Sequence, residues 1–185
     1  MNLIRFFIAA VLYTLLSTYA FACQIEAEAL CQGEEMAGRK LLGVNLSKAN
    51  LSNANLSRAN LYKADVHGSN MSGANMHYSI LYYSNLKGAN LSNANLSKAA
   101  AYSVDLSNTD LRNADMSSAN LHKADLSGAD MSGANLIGAN LTDAKLAGAI
   151  FCKTIMPDGT LKNSSCNGTL EIVSEDKSGA PTSPE

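Results

Sequence analysis

The chain has 185 residues, 14 Lys and Arg against 16 Asp and Glu, a formal charge of −2, four cysteines, three prolines and no tryptophan. That is one domain's worth of sequence. The near balance of charge excludes a chain organised around a strongly basic or strongly acidic field.

Residues 1–22 read as an export signal: a basic start from Met1 to Arg5, an apolar run from Phe6 to Leu16, and the small-x-small triplet Ala20-Phe21-Ala22. The run is too short to span a bilayer comfortably. Cleavage is expected after Ala22, leaving a periplasmic or secreted chain without a membrane anchor. Lipid attachment at Cys23 is the alternative. Against it, Phe21 is bulky where a lipidation signal takes a small residue, and a lipidated Cys23 would leave Cys31 without its obvious partner. The four cysteines fall as Cys23 and Cys31 before the central region and Cys152 and Cys166 after it. Two local disulfides in an oxidising compartment are expected, and no C-x-x-C spacing suggests a metal.

Residues 23–43 (CQIEAEALCQGEEMAGRKLLG) depart from the pattern that follows and are expected to form an N-terminal cap, a short helix or loop. From Val44 to Lys153 the chain repeats every five residues without insertion or deletion: VNLSK, ANLSN, ANLSR, ANLYK, and so on to AIFCK. The block centre is Leu in most cases, with Val66, Met71, Met76, Met116, Met131 and Phe151 as substitutes and Ala101 the one small exception. Two places earlier stands a small residue, and directly before the centre stands Asn or Asp, except at Ile80, Ala100, Lys145 and Ile150. A period of five suits neither helix nor straight strand. It suits a coil that turns one corner per block, with the centre and the small residue inward, and such a unit buries its apolar side only by stacking on neighbours. After the repeats, Pro157-Asp158-Gly159 signals a tight turn between two short extended runs, so residues 154–173 are expected to close the far end, tied by Cys152 and Cys166. The polar tail 174–185 is expected to be disordered.

The motif A-(N/D)-L-x-x, as in Ala49-Asn50-Leu51 or Ala124-Asp125-Leu126, resembles the pentapeptide-repeat family. The resemblance implies an all-β fold, a right-handed quadrilateral β-helix with four blocks to a coil. The solenoid would be roughly 26 Å long at about 4.7 Å per β spacing. Residues twenty apart then stack. The centres form four columns, one of which is interrupted by Ala101. A missing Leu there costs roughly 2–5 kcal/mol unless a neighbour such as Val104 fills the gap, which marks that coil as soft.

The same register places Tyr62, Tyr82, Tyr102 and His122 in one outward column, where neighbours about 4.7 Å apart would stack. Ile80 and Ala100 lie on the same face, Tyr83 sits beside it, and His77 and Tyr78 lie near the adjoining corner. An aromatic and apolar cluster on a Ser/Asn surface is a candidate contact site. Tyr62, Tyr82, Tyr102, His122, Ile80 and Tyr83 are therefore the candidate binding residues, for a protein or glycan partner that the sequence does not name. The alternative is that the aromatics only stiffen the rod.

Catalytic chemistry is not legible. His67, His77 and His122 fall on three different faces and cannot converge on one ion. Asp65, Asp105 and Asp125 share a column but occupy the ordinary polar slot, and no nucleophile–base pair, P-loop or glycine fingerprint occurs. The expectation is a non-enzymatic scaffold with no cofactor and no metal. Some members of the family imitate DNA toward topoisomerases with an acidic rod. The repeats here carry more Lys and Arg than Asp, so that role is not expected, and the cations follow no stripe that would bind nucleic acid.

Overall fold

A computed structural model describes residues 23–164 and 166. The segment read as an export signal, most of the tail and part of the expected C-terminal closure lie outside the described residues. Within them the chain winds as a solenoid. Residue i lies in parallel register with residue i+20, from the pair Leu30 and Asn50 through to Asn135 and Ile155.

Each block closes one corner in the same way. The N–H of Ala49 donates to the carbonyl of Leu46 at 3.1 Å, which tightens the turn Leu46-Ser47-Lys48-Ala49. The last residue of the block, here Lys48 with φ of 57°, sits in the left-handed region, and its counterparts follow at every fifth position. The side-chain oxygen of Asn45 accepts from the N–H of Ser47 at 3.0 Å, an Asx-turn that occupies a donor the corner would otherwise leave to water. This explains why Asn or Asp precedes the centre. Between coils, the Leu46 N–H reaches the Asp65 carbonyl at 2.7 Å, and the Asn50 N–H reaches back to Ala29 at 2.8 Å. The stack is thus held from both sides.

The inward residues make a continuous core. Leu46, Leu51, Leu56, Leu61, Met71, Met76 and Leu81 are fully buried, as are the small residues between them. Inward hydroxyls bond to main-chain carbonyls: Ser69 to Val66, Ser84 to Leu81, Thr109 to Leu86 and Thr154 to Met131. After the last coil a hairpin forms, β1 (Thr154–Ile155) antiparallel to β2 (Leu161–Lys162). Disulfides join Cys23 to Cys31 and Cys152 to Cys166.

One sequence expectation is corrected. Residues 29–43 form neither a helix nor a loop but three sides of a coil in register with the next. Cys31, Met36 and Leu41 are buried at the block centres, and Gly33, Gly38 and Gly43 take the left-handed corner position at φ of 69°, 66° and 62°. Glu34 and Arg39 stand where Ala is usual, and they are tolerated because no coil lies above them to bury them. The glycines five residues apart were the signal for this coil.

The gap at Ala101 is met locally. Val104 stands where Ala is usual, is buried, and shares the Ala101 turn through its N–H. It replaces part of the missing volume, so the coil is less weakened than a bare Leu-to-Ala change would leave it. In urea unfolding, Ala101→Leu alone should destabilise by about 1–3 kcal/mol through overpacking. Combined with Val104→Ala it should return to within about 1 kcal/mol of the wild type, because the two sites share one space.

Candidate interaction face

The outward columns converge on one face of the solenoid. Its floor is the strip occupied by Ile80 and Ala100, which are in parallel register, and its two edges are the corner at His77 and Tyr78 and the corner at Tyr82 and Tyr83. Tyr83, Tyr78 and Tyr82 are 51%, 46% and 36% exposed, whereas Tyr62, Tyr102, His122 and Ile80 are half-buried. Leu42, 51% exposed, stands twenty residues before Tyr62 and extends the column by one coil. Sequence reasoning missed Leu42 because it excluded the first coil from the register.

The rings do not stack as a ladder. The Tyr83 ring lies between two others on the surface, edge-on to Tyr62 at 6.0 Å and to Tyr102 at 5.5 Å, with interplanar angles of 87° and 81°. Tyr82 meets Tyr102 edge-on at 6.3 Å, and Tyr102 lies tilted over His122 at 5.3 Å. The expectation of parallel stacking therefore gives way to a herringbone. A coil spacing near 4.7 Å fixes the backbone, but edge-to-face contact better satisfies the ring quadrupoles and needs more room. Lysines frame the rings: Lys63 over Tyr62 at 5.3 Å, Lys123 over Tyr102 at 5.8 Å and Lys98 over Tyr78 at 5.2 Å. A hydrogen bond from Ser103, with Lys123 beside it, pulls the Tyr102 phenol below its ordinary range. Partial desolvation, reinforced by Tyr102, pushes Tyr83 up.

The block Ser79-Ile80-Leu81-Tyr82-Tyr83 combines several departures from the common repeat. Tyr83, like Tyr78 before it, holds a bulky side chain in the left-handed region, at φ of 58° and 57°. Such a conformation is uncommon for large residues and costs roughly 1 kcal/mol. Ser79 Oγ is fully buried and, among the described residues, has no hydrogen-bond partner. Ile80 and, one coil on, Ala100 supply no side-chain acceptor. In the same column the Tyr62 N–H bonds Asn60 at 3.0 Å and the His122 N–H bonds Asn120 at 3.2 Å, whereas among the described residues the N–H groups of Tyr82 and Tyr102 have no acceptor. Departures gathered in one place mark a functional site more often than chance.

The histidines stay apart. His67 pairs with Asp65 at 2.8 Å, His77 with Ser97 at 2.7 Å, and His122 Nδ1 with the Thr142 carbonyl at 2.9 Å. Among the described residues no group of His, Cys, Asp and Glu gathers as metal ligands do. Nor is any described helix long and apolar enough to cross a membrane.

The sequence profile of pentapeptide repeats matches residues 40–77, 79–117 and 119–158 in eight copies. The chain belongs to the pentapeptide-repeat family. Members fold as right-handed β-helices, the architecture seen here. Among solved structures, a trypsin-treated variant of QnrB1, a plasmid-mediated fluoroquinolone resistance protein, is 21% identical. The match covers 64% of this chain and 71% of the other at a TM-score of 0.52, a likeness of fold alone. A pentapeptide repeat protein from the Arabidopsis thaliana thylakoid lumen is 26% identical over 69% of this chain and 72% of its own, with a TM-score of 0.29. HetL from Nostoc, a pentapeptide repeat protein involved in regulating heterocyst differentiation, is 24% identical over 82% of this chain and 98% of its own, with a TM-score of 0.26. No curated protein sequence matches.

The left-handed cost at Tyr83 is separable from its ring. Tyr83→Ala and Tyr83→Gly both remove the ring contacts, but glycine adopts positive φ freely, so Tyr83→Gly should be the more stable by about 1 kcal/mol in denaturant unfolding.

Proposed function

We propose that this pentapeptide-repeat protein is an exported, non-enzymatic interaction module that engages a protein partner through the face built by Tyr62, Tyr82, Tyr102, His122, Ile80 and Tyr83. The observation that carries the reading is the block 79–83, which lacks the usual turn acceptor at Ile80 and presents Tyr82 and Tyr83 exposed at consecutive positions. Tyr is enriched in the energetic centres of protein interfaces, and bulky apolar groups are otherwise rare on this surface of Ser and Asn. Edge-to-face rings give no flat platform for sugar rings, which favours protein over glycan. Export places the partner in the periplasm or outside the cell. The local spacing of both disulfides agrees with an oxidising compartment. N-terminal sequencing of the mature protein should begin at Cys23.

A structural reading has one observation in its favour: the rings contact each other, and each edge-to-face pair is worth about 0.5–1.5 kcal/mol. The double variant Tyr82→Ser/Tyr102→Ser separates the two. In a cross-linked pull-down from the extracytoplasmic fraction at equal folded concentration, the wild type should capture a protein that the variant loses. Equal capture, with only a lower melting temperature in the variant, would leave the aromatics a purely stiffening role.

A further inference from the structure

The proposed partner face has a chemical polarity of its own, set by the two main-chain donors at Tyr82 and Tyr102. In the Asx-turn repeated along the solenoid, a side-chain oxygen from the residue two places earlier accepts this N–H, at 3.0 Å for Tyr62 and 3.2 Å for His122. At Tyr82 and Tyr102 that residue is Ile80 and Ala100, so the acceptor is absent on two consecutive coils. The two donors lie one coil apart, about 4.8 Å by the spacing of neighbouring β segments.

The charges around these donors point the same way. Lys63 and Lys123 stand in the same corner column as Tyr83, one coil to either side of the Tyr83–Ser103 pair, and Lys98 stands at the opposite edge of the floor. None of the three makes an ion pair with a carboxylate among the described residues. Two cations elsewhere on the rod are paired, Lys145 with Asp125 at 3.1 Å and Arg112 with Asp110 at 2.6 Å, whereas Lys48, Arg58 and Lys87 are, like these three, without an ion pair among the described residues. The floor of Ile80 and Ala100 is apolar, and the rings beside it form no coplanar platform.

We propose, resting on the reading of this face as a protein-interaction site, that its partner presents an acidic peptide segment. A Glu or Asp carboxylate of that segment takes the N–H groups of Tyr82 and Tyr102 in place of the missing Asn oxygens. An apolar side chain beside it covers Ile80, and Lys63, Lys98 and Lys123 attract the flanking acids. The missing Asn side chains are thus the opening of the site, and restoring them should close it.

The test uses the full mature chain and a fluorescent ten-residue peptide alternating Glu with Val, compared with the same peptide carrying Gln for Glu. By fluorescence anisotropy the Glu peptide should bind the wild type at least about tenfold more tightly than the Gln peptide, and the difference should shrink as salt rises. Ile80→Asn/Ala100→Asn keeps every tyrosine and lysine and returns two blocks to the common repeat. It should fold with an equal or higher melting temperature yet bind the Glu peptide no better than the Gln peptide. Undiminished Glu-peptide binding by that variant overturns the proposal. So does equal binding of the two peptides by the wild type; if that binding is still lost in Tyr82→Ser, the aromatic face remains an interaction site without acid preference. No binding of the Glu peptide also overturns it, while the pull-down, which uses no peptide, still decides the face itself. Polygalacturonate binding more tightly than the Glu peptide, with the same sensitivity to Ile80→Asn/Ala100→Asn, overturns the assignment to a protein and makes the partner an acidic polysaccharide.

Discussion

The main-chain hydrogen bonds between residues twenty apart are the constraint from which the rest follows. Each coil of this solenoid donates to and accepts from its neighbours, as Leu46 does with Asp65 and Asn50 with Ala29. Once that ladder is set, a residue's neighbours above and below are fixed by arithmetic. An inward position must be small or aliphatic, a corner must accept positive φ, and the residue before each centre serves best as Asn or Asp because its oxygen holds a corner N–H. No other force of comparable reach shapes the rod. Its charged pairs are exposed and few, and such pairs contribute about 0–1 kcal/mol each.

A scaffold so uniform makes exceptions informative. In a less regular protein a tyrosine at positive φ, a buried orphan hydroxyl or a missing turn acceptor would each pass as ordinary irregularity. Here the orphan hydroxyl and a missing acceptor meet in the block 79–83, between corners held by Tyr78 and Tyr83, and the missing acceptor recurs one coil later at Ala100. The surrounding coils bear the cost, because each corner is held independently and the core behind the face stays closed at Leu61, Leu81 and Ala101. Local stability is exchanged for an outward surface that combines aromatic area, cations and open main-chain donors.

Much of this was legible in the sequence, since a fixed period converts directly into columns. Placing Tyr62, Tyr82, Tyr102 and His122 on one edge, and Ile80 with Ala100 beside them, required only counting. What counting could not supply was ring orientation: the Tyr83 ring lies edge-on to both Tyr62 and Tyr102, and rotamers are not encoded in a period. The first coil escaped because Glu34, Arg39 and Leu30 stand at polar or small positions of the repeat, although Gly33, Gly38 and Gly43 kept the beat. Losing that coil also hid Leu42 at the head of the aromatic column. The open donors of Tyr82 and Tyr102 were implicit in Ile80 and Ala100, but only once the role of Asn in the turn was visible.

The central claim is that the aromatic corner presents main-chain donors that the Asn-bearing corners of its column, at Tyr62 and His122, keep to themselves. Amide hydrogen exchange measured residue by residue in the free protein tests it directly. Tyr82 and Tyr102 should exchange at least about tenfold faster than Tyr62 and His122, which share their column and their type of turn but hold an Asn acceptor. Equal protection at all four would mean that these donors are already satisfied, and the corner would then have nothing open to offer a partner.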